Sequence, residues 1–356
     1  MRIVQFVHAG NCRAVGVVDG NEVINLTEAF PNYDTTLKLA LSAIDQQVGL
    51  EMLLADLLPQ CDVRLSYDQL WNGMPGGECY LLPPLDHPDT SRTYITGTGL
   101  THTGSMQSRD QMHTEEVDSE EENSIDAETE GQPLTDSARM FQMGLDGGKP
   151  ESGDRGTAPE WFYKGNGVCL RGHRESLDIP SFALDGGEEP EFVGCYVIGP
   201  CGTPFRLGFA LGNEWSDHAT EKINYLYLAP SKLRTCSVGP ELVVGESFQD
   251  RDVRVIVKRA QNVIYDSGDL KSGQQFMCHS LENCEDHHFK YPLHRQPGDV
   301  HLHYFGTSKL SYGQRDWKFM AGDNIEVFAT GFSRSLINEV KMSCPEAAQP
   351  VVVKPL

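Results

Sequence analysis

The stretch DGGEEPEFVGCYVIG, residues 185–199, decides how the rest of the chain is read. Two glutamates, Glu189 and Glu191, flank Pro190 and run into an apolar, β-branched segment. Proline removes a backbone donor and disfavours helix, so the segment is expected to be a strand. Side chains two apart on a strand share a face, which sets Glu189 and Glu191 side by side. Like charges that close either sit in water or share a cation.

Some twenty residues further on, GFALGNEWSDH (208–218) repeats the arrangement: an apolar segment, then Glu214 and Asp217. On adjacent strands, Glu189, Glu191 and Glu214 would present three hard oxygen ligands. Such a set suits Mg²⁺, with Mn²⁺ or Ca²⁺ as alternatives, and not a thiolate-seeking metal. An E-x-E pair alone reads equally as two solvated carboxylates at a strand edge. YLAPSKLRTCSVGPEL (227–242) carries Lys232, a residue type that beside such a metal can hold a substrate carboxylate or carry a proton. Alone it would read as a surface lysine. GDVHLHYFGTSKL (298–310) places Gly306 and Thr307 at a strand end. Glycine there admits close backbone approach, and the threonine hydroxyl can meet a ligand oxygen.

From Trp161 to Val340 the chain is strand-rich, with segments such as FRLGFALG, VRVIVKRA and NIEVFATG between Gly, Asp and Pro turns. Their spacing predicts a rolled sheet assembly and not repeated βαβ units. Upstream, MRIVQFVHAGNCRAVGVVDGNEVINL (1–26) reads as short strands with turns at Ala9-Gly10 and Asp19-Gly20, not as an export signal. Leu37 to Leu58 carries apolar residues at helical spacing. LPPLDHPDTSRT (82–93) reads as a linker. The expected organisation is a small N-terminal α/β domain (1–87), a catalytic domain (88–345) and a tail (346–356).

The formal net charge is −22 over 356 residues, which argues against nucleic-acid and anionic-membrane partners. Nine acidic residues and no basic one fall between Glu115 and Glu130. With the glycine-rich GLDGGKPESGDRG behind it, 110–157 reads as an insertion: a loop without consequence, a lid over a site, or a recruiting surface for a basic partner. No apolar run approaches the ~20 residues that span a bilayer. The ten cysteines form no CxxC pair and read as reduced thiols of a cytoplasmic protein. Residues 278–303 gather Cys278, His279, Cys284, His287, His288, His294, His301 and His303, dense enough to raise zinc but without the usual ligand spacing. One or two of these histidines could instead line a pocket.

Taken in order, TYITGTGLTH, PEWFYKGNG, GGEEPE, GNEWSDH, SKLRTCSVGPEL, RQPGDVHLHYFGT and AGDNIEVFATGFSRSLINEV resemble the fumarylacetoacetate hydrolase superfamily over about residues 90–340. The resemblance implies an α+β, mostly β, mixed β-roll behind a small N-terminal domain, in a homodimer. It implies a divalent ion, normally Mg²⁺, on Glu189, Glu191 and Glu214, although the family usually has aspartate at the third place. It implies a 2-keto or 2,4-diketo acid substrate and a catalytic lysine at Lys232. His102 is the nearest match to the family's base, with His113 and the acids near Glu115 as lid groups, but the hydrolytic N-Y-x-x-H pattern is missing. TGTGLTHTGS, PEWFYKGNG and GNEWSDH resemble the sugar-acid branch, which includes 2-keto-3-deoxy-pentonate dehydratases. Dehydration needs no attacking water. Tyr163, Lys164 and Arg171, with Gly306 and Thr307, are then the expected substrate contacts. Carbon–carbon hydrolysis and decarboxylation of a keto acid are the rival chemistries.

Overall fold

The computed structural model describes residues 1–8, 10, 12–114, 135–151, 153–344 and 350–356. The Pro190–Ile198 strand runs through its centre and is buried at every position. Phe192, Tyr196 and Ile198 point into one apolar core, and Val193, Cys195 and Val197 into another. A strand covered on both faces reads as a continuous apolar run, which is why VGCYVI shows no polar alternation. A one-residue slip would exchange the two sets, so the register is held by both cores.

This strand pairs antiparallel with Pro204–Asn213 on one side and with Val300–Tyr304 on the other. Val300–Tyr304 runs parallel to Thr93–Gly99, which in turn pairs antiparallel with Glu160–Asn166. A second, six-stranded sheet contains Arg251–Arg259, Asn324–Ala329, Leu336–Met342 and Leu177–Ile179. The core that Phe192, Tyr196 and Ile198 enter lies between the two sheets. The architecture is thus α+β, mostly β, with mixed sheets folded over each other.

The first 87 residues add strands to the same large sheet. Arg2–His8 pairs with Leu242–Val243, and Ile3 and Val15 share a core with Val193 and Val197. The helical stretch expected over 37–58 is two helices, Thr36–Asp45 and Leu50–Leu57. Gln47 adopts a left-handed φ of 56° between them, and Gly49 caps the second. Within 110–157, the described residues are more regular than an insertion loop. A helix covers Asp136–Gly147, capped by Thr135, whose side chain accepts from the Ala138 N–H. Its glycines serve close packing: a Cβ on Gly144 would lie 2.7 Å from Cys278 Sγ and 2.8 Å from His279 Nε2. The acidic run Glu115–Glu130 lies outside the described residues, as does the side chain of His113. All ten cysteines are free. Among the described residues no helix is long and apolar enough to cross a membrane.

Candidate active site

Glu189 and Glu214 meet because they stand at the two open ends of one hairpin. Pro190 is registered with Asn213 and Glu191 with Gly212. The Glu214 N–H donates to the Glu189 carbonyl (3.0 Å), and the Glu189 N–H donates to Asn213 Oδ1 (3.1 Å). The preceding glycines admit their neighbours: a Cβ on Gly186 would lie 2.1 Å from the Trp215 ring, and one on Gly187 2.1 Å from His218 Nδ1. Glu189, Glu191 and Glu214 are all buried, and one carboxylate oxygen of each lies within 4.8 Å of the others.

Two lysines face this triad. Lys232, at the end of the short Leu228–Lys232 helix, donates to Glu189 Oε1 (2.6 Å) and Glu214 Oε2 (2.7 Å), with its ammonium 4.7 Å from the Phe162 ring centroid. Lys164 lies 2.8 Å from Glu214 Oε1 and donates to the carbonyls of Trp215 and Lys232. The Gly306 N–H donates to Glu191 Oε2 (2.7 Å). Gly306 has a φ of +88°, and a Cβ there would sit 2.1 Å from Thr101 Oγ1, so the position requires glycine. Ser216 Oγ donates to Glu214 Oε1 (2.8 Å), and His218 Nε2 lies 3.0 Å from Glu189 Oε1.

Burial would raise the Glu189 carboxyl, but the adjoining Lys232 charge and His218 hold it well below the usual range. Glu191 accepts no bond from Lys232, whose charge lowers it less than its surroundings raise it. Burial, then the charges of Glu214 and Glu189, push it well above the usual range. Burial would likewise lower the Lys232 ammonium, yet Glu189 and Glu214 hold it above the ordinary lysine value.

Glu189, Glu191, Glu214, His218, Gly306 and Thr307 line one cavity together with Ser105, Arg109 and Glu221. Arg109 donates from Nη1 to both oxygens of Glu160 (2.8 and 2.7 Å), and its Nε lies 2.8 Å from Glu221 Oε1. Tyr225 donates to Glu160 Oε2 (3.0 Å). Among the described residues around this cavity, the carboxylates of Glu160, Glu189, Glu191, Glu214 and Glu221 face three cations, Arg109, Lys164 and Lys232. With all five carboxylates ionised, a divalent cation would cancel the excess of two negative charges. Three buried carboxylates with converging oxygens fit a hard cation of the Mg²⁺, Mn²⁺ or Ca²⁺ kind.

The structure does not bring every expected residue to the cavity. Tyr163 and Lys164 are neighbours on a strand, so only one can face inward, and Tyr163 is the exposed one. Arg171 pairs with Asp178 (3.3 Å). His102 is buried but does not line the cavity. Thr101 donates its hydroxyl proton to the Phe305 carbonyl, so His102 Nδ1 is the donor in the 2.8 Å contact with Thr101 Oγ1. Its Nε2 is then a lone pair without a partner among the described residues, and burial, with Lys149 adding to it, lowers the ring to about 4. Asp217 caps the His218–Ile223 helix and pairs with Arg234 (3.0 Å).

The histidines of 278–303 make no zinc site among the described residues, where the one group with converging ligand atoms is the glutamate triad. His288 Nε2 and His301 Nδ1 lie 2.9 Å apart, and both nitrogens of His303 lie 2.8 Å from the hydroxyls of Thr96 and Thr98. None of these histidines lines the cavity. Glu160, Arg109, His218 and Glu221 went unnoticed in the sequence. Glu160 shares a strand face with Phe162 and Lys164, and His218 and Glu221 are three apart on one helix. Those spacings were the available signals.

No family model matches the chain, and no curated protein matches its sequence. Solved structures do match. The chain shares their fold over nearly its whole length. A 2-keto-3-deoxy-D-arabinonate dehydratase complexed with magnesium and 2,5-dioxopentanoate is similar over 96% of this chain and 99% of its own, at TM-score 0.67 and 17% identity. Maleylpyruvate hydrolase from Sphingobium sp. SYK-6, in complex with manganese and pyruvate, is similar over 97% and 100%, at TM-score 0.55 and 13% identity. 2-Hydroxyhepta-2,4-diene-1,7-dioate isomerase from Mycobacterium marinum is similar over 96% and 98%, at TM-score 0.54 and 13% identity.

Proposed function

We propose that this chain is a divalent-metal-dependent enzyme of the fumarylacetoacetate hydrolase superfamily that acts on a small 2-keto acid, and that its reaction is dehydration of a 2-keto-3-deoxy sugar acid such as a pentonate. The observation that carries this reading is the buried triad of Glu189, Glu191 and Glu214 with Lys232 bridging two of its members. The similar dehydratase that holds magnesium and 2,5-dioxopentanoate supports the choice of substrate class.

Glu189, Glu191 and Glu214 would hold the ion. When bound, a divalent cation draws electron density from the oxygens of a chelating keto acid and so acidifies the neighbouring C–H. The chain's own residues fix the rest. The Gly306 N–H and Ser216 hydroxyl hold Glu191 and Glu214 in place, and Lys164 anchors Glu214 from behind. Lys232 is the proposed proton-carrying group, because its ammonium already sits among the carboxylates that would hold the ion. Dehydration removes a proton from C3 and hydroxide, which leaves as water, from C4; the resulting 3,4-unsaturated keto acid moves a proton from C5 to C3, and the C4=C5 enol so formed tautomerises to a semialdehyde. No water has to be activated, which agrees with His102 lying outside the cavity.

The test is to incubate the purified protein with Mg²⁺ and each C4 epimer of 2-keto-3-deoxypentonate, and to identify products by mass. Loss of one water from one epimer is the expected result. A three-carbon fragment or released CO₂ would replace dehydration with carbon–carbon cleavage or decarboxylation.

A further inference from the structure

Glu221 carries an oxygen that no hydrogen bond from the described residues accounts for. The residue is 1% exposed and lines the same cavity as the three candidate metal ligands. Its Oε1 is paired with Arg109 Nε at 2.8 Å. Its Oε2 is buried and has no hydrogen-bond partner among the described residues. Of the donors nearby, Arg109 Nη1 and the Tyr225 hydroxyl are engaged on Glu160, and the Lys232 ammonium on Glu189 and Glu214. A buried carboxylate oxygen left without a donor is costly, and native structures seldom retain one without a reason.

We propose, on the 2-keto acid reading above, that Glu221 Oε2 accepts a hydrogen bond from a hydroxyl on the tail of the substrate, and so selects hydroxylated 2-keto acids over those with a hydrocarbon tail. An ionised carboxylate only accepts, so its partner must bring an O–H or N–H. The keto acid head is taken by the metal ligands, which leaves the tail to reach Glu221. An alkyl tail would seal Oε2 from water and give it nothing in return, and sites built to bond a hydroxyl reject analogues lacking it for that reason. Arg109 positions Glu221 by holding Oε1, so that Oε2 is the oxygen left for the ligand.

Calorimetry on the full-length protein in Mg²⁺ tests this. The ligands are pyruvate, 2-oxopentanoate, 5-hydroxy-2-oxopentanoate and 4,5-dihydroxy-2-oxopentanoate, each affinity being expressed relative to pyruvate in the same variant. At least one hydroxylated acid is expected to bind about tenfold or more tightly than 2-oxopentanoate. Glu221→Met, which keeps the length and removes the acceptor, is expected to bring that ratio within about twofold, with Glu221→Gln in between. Equal binding of hydroxylated and alkyl acids by the native protein would overturn the assignment without any variant, because a water would then suffice for Oε2. Survival of the preference in Glu221→Met would overturn it too. Failure of pyruvate and every other keto acid to bind in Mg²⁺ would instead remove the 2-keto acid reading itself, and the role of Glu221 with it.

Discussion

The ammonium of Lys232 lies 2.6 Å from Oε1 of Glu189, and both groups are buried. Glu214 shares the same ammonium at 2.7 Å. Lysine thus occupies the place between two carboxylates that a cation would favour. Lys232→Met should therefore affect stability and activity in different ways. In chelator, Glu189 loses its closest cation and Glu214 keeps only Lys164, and removing one partner of a buried pair typically costs about 3–5 kcal/mol. Saturating Mg²⁺ should recover much of that loss, because the ion supplies the missing charge. Turnover should stay down by about 10²-fold or more in Mg²⁺, as expected when a proton-carrying group is removed. Urea unfolding with and without Mg²⁺, beside a rate assay, checks this. Equal destabilisation in both conditions would mean that no ion replaces the lysine charge.

Glu189 and Glu191 should behave as opposites in the metal-free protein. Glu189 is bonded to Lys232 and His218, whereas Glu191 accepts from the Gly306 N–H and is pushed up by burial and by its two carboxylate neighbours. Glu189→Gln leaves Lys232 half-paired and should cost several kcal/mol, on the order of 3. Glu191→Gln removes a repulsion and should be neutral or stabilising. Both should weaken Mg²⁺ binding, read by calorimetry. If the two substitutions destabilise the chelated protein equally, the carboxylates are not arranged as described.

The glutamate triad was legible in the sequence because its members stand at the ends of one hairpin, so a short local separation carried the three-dimensional contact. The apolar run VGCYVI announced a strand covered on both faces. Glu160 and Arg109 were not legible in the same way. Arg109 lines the cavity and Glu160 pairs with it, from a helix and a strand whose placement depends on the parallel pairing of Val300–Tyr304 with Thr93–Gly99, a long-range contact no local pattern encodes. Tyr163 and Lys164 cannot both be substrate contacts, because strand alternation turns them to opposite faces. The break at Gln47 was hidden because Leu50, Leu53 and Leu54 continue the apolar spacing of Leu37 and Leu39.

Gly306→Ala should damage the site more than its size suggests. The residue has a φ of +88°, a region that costs a non-glycine residue about 1–2 kcal/mol, and the new methyl would meet Thr101 Oγ1 at 2.1 Å. Overpacking adds about 1–3 kcal/mol. Relief requires the backbone to shift, which withdraws the N–H from Glu191. Mg²⁺ affinity should therefore fall together with the melting temperature, whereas Gly268→Ala, also at positive φ (66°) but with open space around it, should lower the melting temperature alone. Unchanged Mg²⁺ affinity in Gly306→Ala would mean that the Gly306 N–H does not position Glu191.

The buried histidines set the acid limit of the fold. Burial, and secondarily the positive charge of neighbouring histidines, pushes His301 and His303 down to about 3, against about 6.5 in an unfolded chain. Between those values the unfolded chain binds a proton at each site and the folded chain does not. Their stabilising effect is therefore complete above about pH 6.5 and is lost as the pH falls toward 3. Each contributes a slope of about 1.4 kcal/mol per pH unit in that window, about 3 for the two. Denaturant unfolding of the metal-free protein should thus weaken steadily between about pH 6.5 and 5, before most carboxylates titrate. His303→Gln retains groups that can bond the hydroxyls of Thr96 and Thr98 but does not titrate, so it should flatten the slope by about 1.4 kcal/mol per unit. A slope identical to that of the native chain would show that His303 is already protonated in the fold, contrary to its burial between two threonine hydroxyls.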